Sequence, residues 1–330
     1  MPGPVIDDPF LKKRPAAAEL RLGPRPVRLL ALGDVLARLE GAPAVLLTVW
    51  VDTPILVPPV LRAARDCDAV VGFAPARVAE GPRALHAFFE SICGAAESLG
   101  WTRPLWIRAP TVTLERPEDA DLAAERMHTY VEAGFTAFTL RVAGLEPEAA
   151  APAVREATEP VRERELGLEI EVDDGGEADA GRLVAALKLL GAAPDLVGVV
   201  GGEGAGLAEL ASEVDPVGVA WHQDPCSLVW REGLRSAVGA GARLLSLRSP
   251  LADALVAALP PPLSEEMGAR LGTRPPAEVF AEYGERLSDL EGDALDRVEV
   301  RVYNETEDLL RLLKLAGTAG RLRAQLLEEL

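Results

Sequence analysis

The sequence predicts an α/β protein whose main body is one (β/α)8 TIM barrel, and three observations carry that expectation. Eight short apolar runs recur between residues 44 and 248, each followed by an amphipathic helical stretch. The runs are apolar without strict alternation, as parallel strands covered by helices on their outer face should be. The first run continues as "VWVDTPIL", without the GxGxxG turn that would favour an open, doubly wound dinucleotide fold.

In order, the expected strands are "AVLLTVWV" (44–51), "AVVGFAP" (69–75), "PLWIRAP" (104–110), "TAFTLRV" (136–142), "LEIEV" (168–172), "LVGVVGG" (196–202), "VGVAWH" (217–222) and "RLLSLR" (243–248). Helices are expected over "ILVPPVLRAARDC", "ALHAFFESICGAAESLG", "PEDADLAAERMHTYVEAG", "PAVREATEPVRERELG" and "ADAGRLVAALKLLGA". Residues 1–26, rich in Pro, Arg and Ala without periodicity, read as an irregular leader, and residues 27–255 as the barrel. Residues 256–330 read as a helical C-terminal extension packing on the barrel or on a partner subunit. It holds the link "LPPPL", a helical stretch around "PPAEVFAEYGERL", a β-like "RVEVRVY" and a leucine-rich terminal helix.

Composition narrows the functional classes. A net charge of -18 on 330 residues opposes a general nucleic-acid or anionic-membrane surface, which needs summed Lys and Arg charge. The N-terminal "MPGPVIDDPFLKKRP" lacks the apolar core of a secretory signal and no run of about 18 apolar residues occurs, so the expected location is the cytoplasm. Cys67, Cys93 and Cys226 form no CxxC pair, which leaves thiols as the default. Lys12, Lys13, Lys188 and Lys314 are the only lysines; Lys188 falls in a helical stretch, so a Schiff-base lysine at a strand end is not expected.

Chemistry on a barrel sits at the C-terminal strand ends, where the loops converge. The residues there are Asp52, Arg108, Arg141, Glu171 with Asp173 and Asp174, Glu203, His222 with Asp224, and Arg248. His86 and His128 fall in helical segments and read as surface or packing residues. Cys226 follows His222 by four residues, but no helix N-terminus is expected beside it to activate the thiol.

The order of these motifs resembles the class II, metal-dependent fructose-bisphosphate and tagatose-bisphosphate aldolases from about residue 28 to residue 250. "AVLLTVWVDTPILVPPVLRAARDCDAVV" is similar to that family's first strand, helix and second strand. "YVEAGFTAFTLRVAG" is similar to its fourth unit, "LEIEVDDGGEAD" to its fifth strand, and "VGVAWH" followed by "LRSAVGAGARLLSL" to its seventh and eighth units. "LAGTAGRL" is similar to the Gly-Ser-Ala-Gly-Lys ending of many members. The resemblance implies the barrel fold and a zinc-dependent aldol cleavage, yet the implied site residues depart from the pattern. The acid/base Asp and the His ligand after the third strand are matched by Arg108 and Ala109, and the second His ligand by Gly204. The His-Gly-Gly-Ser-Gly phosphate loop is matched by His222-Gln223-Asp224-Pro225-Cys226, the Asp of the fourth strand by Arg141, and the last strand end by Ser246-Leu247-Arg248-Ser249-Pro250. His222 alone keeps a ligand position.

A catalytic zinc needs about three protein ligands, so the expectation is no cofactor, zinc having been lost. A retained Glu171 then needs another counter-charge, which Arg108, Arg141 and Arg248 can supply. Two readings stay open. The strand ends form an internal ion-pair network in a pseudoenzyme or scaffold, or Arg108, Arg141, Arg248, Asp173 and Asp224 line a pocket for a small anionic ligand. If the chain is an enzyme, the expectation is a metal-independent carbon–carbon lyase or isomerase on phosphorylated or carboxylated carbohydrate-derived substrates, with His222 as general acid/base, Glu171 as a second catalytic candidate and the arginines stabilising oxyanions. The leucine-rich tail suits a homo-oligomer or a partner subunit.

Overall fold

A computed structural model of the chain describes residues 8–76, 81–172, 177–200, 207–214, 217–222 and 230–329. Among these residues nine parallel strands form one sheet: β1 (Leu46–Val51), β2 (Val71–Pro75), β3 (Leu105–Ile107), β4 (Val112–Leu114), β5 (Ala137–Val142), β6 (Gly167–Val172), β7 (Leu196–Val200), β8 (Gly218–His222) and β9 (Leu244–Leu247). Their order is β3-β2-β1-β9-β8-β7-β6-β5-β4, with helices between successive strands except between β3 and β4, which is a TIM-like α/β arrangement. Each of the eight expected runs contains a strand.

The ninth strand has a local cause. The expected run "PLWIRAP" ends in Pro110, which has no N–H to give to a ladder, so the segment breaks and resumes as β4. The break leaves residues 107–109 bonded to β5: Thr136 N–H donates to Ile107 O at 2.9 Å and Ala109 N–H to Ala137 O at 2.8 Å.

Inside the curl, Trp106, Gly72, Thr48, Ser246 and His222 stand in register on adjacent strands and form one inward layer. Trp106 is fully buried and its Nε1–H donates to Thr48 Oγ1 at 3.1 Å, lying across Gly72 to reach it. Only glycine fits there, because a Cβ on residue 72 would penetrate the indole. The opposite, N-terminal end is covered by the segment before the helix Leu32–Arg38. Leu30 N–H donates to Leu105 O, Leu32 N–H to Thr136 O, and Leu32 packs so closely on Gly167 that a Cβ there would lie 2.5 Å from its own.

Two expectations about the flanks are corrected. The leader is not irregular from residue 8 onward: Pro9–Lys12 and Ala16–Leu22 are helices, with Phe10 and Leu22 buried and Arg14 donating to the carbonyls of Arg25 and Val27. Pro and Ala gave no periodicity, yet Asp8 caps the first helix through Phe10 N–H and pairs with Arg28 at 2.6 Å. "RVEVRVY" is not a strand but part of the helix Gly292–Leu312. Val298 and Val302 are buried while Val300 is 60% exposed, so the valines that mimic alternation follow the helical i, i+4 spacing continued by Thr306 and Leu310. That helix packs on the helices Val57–Asp66 and Ser249–Ala258, so the extension lies against the barrel. The "LAGTAGRL" motif docks the terminal helix Thr318–Glu329 below β2, where Val70 N–H donates to Thr318 Oγ1 and Gly320 N–H to Asp68.

Gly72→Ala should therefore destabilise the fold by about 1–3 kcal/mol through overpacking against Trp106. Gly94→Ala, in the helix Gly81–Ser98 with open space around it, should instead stabilise by about 0.5–1 kcal/mol. Urea unfolding of the two variants reads both, and equal effects would contradict the packing described.

Candidate functional site

Among the described residues, three arginines and three carboxylates meet at the C-terminal strand ends, and each arginine lies beside one of these carboxylates. Arg108, just past β3, is buried; its Nη2 lies 3.4 Å from Glu169 Oε1, and its Nη1 lies 3.0 Å from Ser246 Oγ and 3.2 Å from His222 Nδ1. Arg141, on β5, sets its Nε 3.3 Å from Glu171 Oε1. Arg248, just past β9, sets its Nε 3.2 Å from Asp52 Oδ2, donates from Nη2 to Ala76 O at 2.6 Å and stacks over Trp50. Strand pairing brings the second pair together directly, because Arg141 and Glu171 are register partners on β5 and β6.

The innermost group is the most constrained. A guanidinium has no acceptor, so Arg108 makes His222 Nδ1 the acceptor and leaves the proton on Nε2, which points at Glu169 Oε1 in a short hydrogen bond. Both ring nitrogens are thereby engaged. Glycine at position 198 makes this approach possible: a Cβ there would press on Glu169 Oε1 and lie 2.9 Å from His222 Nε2. Burial by itself pushes the Glu169 carboxyl up, but the Arg108 guanidinium, followed by His222, outweighs it and holds the group below the usual carboxylate range. Asp52 shows the opposite balance. Burial raises it from its ordinary 3.8 to about 6 against the pull of Arg248, and neither of its oxygens accepts a hydrogen bond among the described residues.

Of the expected site residues, His222, Arg108, Arg141, Arg248 and Glu171 all lie at this end. Arg108 and His222 touch, while Arg141 with Glu171 and Arg248 with Asp52 form separate pairs. The partner of His222 is Glu169 and not Glu171. Glu169 is not among the expected strand-end residues, but its place two residues before Glu171 puts both on one face of β6. The glycine in "LVGVV" was the other available signal. Asp173, Asp174, Glu203, Gly204, Asp224 and Cys226 lie outside the described residues. Lys188 is helical, as expected, with its Nζ donating to Val214 O. His86 and His128 are also on helices.

Two carboxylates stand beside His222, the one expected ligand position. One ligand atom each from Glu169, Glu171 and His222 lies within 4.8 Å of the others, and all three residues are buried. One imidazole nitrogen and two carboxylate oxygens suit zinc by type. As they stand, they do not fit it. Both ring nitrogens are taken, and the Arg108 charge lies within 3.4 Å of two of the three residues. At an effective dielectric of 20, unit charges 4 Å apart repel by about 4 kcal/mol and a divalent ion by about twice that.

Arg108→Met should destabilise by about 3–5 kcal/mol because it strands Glu169 as a buried charge, and a second change, Glu169→Leu, should recover most of the loss. A double variant no more stable than the single one would contradict the pairing. For Asp52, the folded state holds the proton more tightly than the unfolded state, so its contribution to stability is largest at low pH and is lost as pH rises from about 4 through about 6. Asp52→Asn should remove that decline; a wild-type minus variant difference that is flat over this window would contradict the assignment.

No family model matches the sequence, and no curated protein matches it. Solved structures do share its fold. The YdjI aldolase from Escherichia coli K12 superposes with a TM-score of 0.60 at 14% identity, over 88% of this chain and 99% of its own. Fructose-bisphosphate aldolase from Campylobacter jejuni gives 0.60 at 12% identity, over 88% and 96%. At such identities the likeness is one of fold: the chain is built on an aldolase-like scaffold.

Proposed function

We propose that the chain is a diverged class II aldolase-like barrel in which arginine–carboxylate pairs have replaced the zinc site, and that it works as a non-catalytic scaffold or anion-binding protein instead of a metal-dependent aldolase. The observation that carries the reading is Arg108. A buried guanidinium spends its donors on His222, Ser246 and Glu169, the residues that a metal or an acid/base catalyst would need to have available. Continuation of the ring from β3 to β5 through residues 107–109 supports full (β/α)8 closure as part of the same proposal. Among the described residues no helix is long and apolar enough to cross a membrane.

The anion-binding variant of this reading has its own support. Arg141 keeps 39% of its side chain exposed at the strand end, whereas Arg108 and Arg248 are almost fully covered. A phosphate or carboxylate arriving at the mouth would meet Arg141 first. A metal-independent lyase or isomerase would need His222 to exchange protons with such a ligand, and His222 is 2% exposed with both nitrogens engaged.

Protein purified from zinc-supplemented medium should contain well below one equivalent of zinc, and should show no chelator-sensitive cleavage of fructose or tagatose bisphosphate. One equivalent of tightly held zinc with activity abolished by chelation would overturn the reading.

A further inference from the structure

Away from the strand ends, the outer surface carries an open groove that the arginine–carboxylate pairs do not touch. It runs between the C-terminal end of the helix Ser249–Ala258, the start of the helix Pro261–Leu271 and one face of the helix Gly292–Leu312, with a volume of about 730 Å3. Sites for small organic ligands span roughly 300–1,000 Å3. The space has a local cause. Pro260 ends the first of these helices, and its last residues, Ala257 and Ala258, have side chains too short to fill the gap to the long helix.

The lining divides into two chemistries. Its floor is aliphatic, built from Leu259, Pro261 and Val300. Val300 is 60% exposed, whereas Val298 and Val302 on the same helix are buried in the fold. The rim is cationic. Arg297 and Arg301 are exposed, stand one turn apart and form no ion pair among the described residues, although Glu299 and Arg311 of the same helix are each paired. Like charges at this spacing repel, so the bare pair weakens its own helix unless an anion lies between them. Such an isolated pair is conspicuous on a chain of net charge -18.

We propose that this groove binds a medium-chain alkyl carboxylate, with the chain on Leu259, Pro261 and Val300 and the carboxylate on Arg297 and Arg301. The planar fork of a guanidinium matches a carboxylate, and each methylene removed from water adds to affinity. Asp296 is the one carboxylate on the lining. It lies five residues before Arg301, about 7.5 Å along the helix axis, so the ligand's charge belongs at the Arg301 end, where the Asn304 amide is a neighbour on the helix surface.

Equilibrium dialysis of the full chain against labelled decanoate, below its micelle concentration, tests the assignment, with melting followed over the same range. The expected result is saturable uptake of one decanoate per chain and a matching rise in Tm. Butyrate keeps the charge without the chain and decanol keeps the chain without the charge, so each should bind at least about tenfold more weakly. Arg297→Gln combined with Arg301→Gln should weaken decanoate about tenfold, and Val300→Asp should do the same through the floor. Arg126→Gln combined with Arg155→Gln removes the same charge from exposed positions on other helices and should leave uptake unchanged. None of these positions belongs to the strand-end pairs.

Absence of saturable uptake by wild type overturns the proposal. Uptake that survives the Arg297 and Arg301 changes overturns it as well, because the ligand is then elsewhere. Decanol binding as tightly as decanoate contradicts the role of the two arginines. Wild type that sediments with anionic phospholipid vesicles through these arginines, yet takes up no free decanoate, makes the face a membrane contact and also overturns it.

Discussion

Glu169, Glu171 and Asp52 are carboxylates whose side chains are almost wholly removed from water at one end of the curled sheet. Each would cost several kcal/mol if left charged and unpaired, so a cation must stand beside every one of them. This requirement organises the site. Arg141 answers it within the sheet, as the register partner of Glu171, whereas Arg108 and Arg248 reach across from the ends of β3 and β9. A resident arginine cannot leave as a bound ion can, which makes the positive half of the charge balance a property of the fold.

The same balance limits the chemistry. General acid/base catalysis needs a proton donor or acceptor within reach of a substrate atom. Here His222 accepts from Arg108 and donates to Glu169, and the geometry that secures the fold also occupies the ring. Electrostatic capture of an anion at the half-buried Arg141 is compatible with this arrangement.

Much of this was legible in the sequence because burial on both faces writes a parallel strand as a continuous apolar run, and each of the eight runs contains a strand. The arginines were legible for a related reason: charge at the end of an apolar run has nowhere to go but the mouth. Glu169 was not, since a glutamate in mid-strand reads as outward-facing until its period-two relation to Glu171 and the empty place at Gly198 are considered together. The helix around Val298, Val300 and Val302 was misread because three alternating valines satisfy both periods, and only Thr306 and Leu310 further along decide between them. The pairing of Arg248 with Asp52 depends on β1 and β9 being neighbours, a fact of topology that no local pattern carries.

The central question is whether a guanidinium or a metal ion neutralises Glu169 beside His222. A crystal grown in millimolar zinc and measured on both sides of the zinc absorption edge addresses it directly. The structure predicts guanidinium density bonded to His222 Nδ1, Ser246 Oγ and Glu169, with no anomalous peak within coordination distance of His222. A strong peak about 2.0–2.2 Å from a His222 nitrogen, with Arg108 turned away, would contradict it.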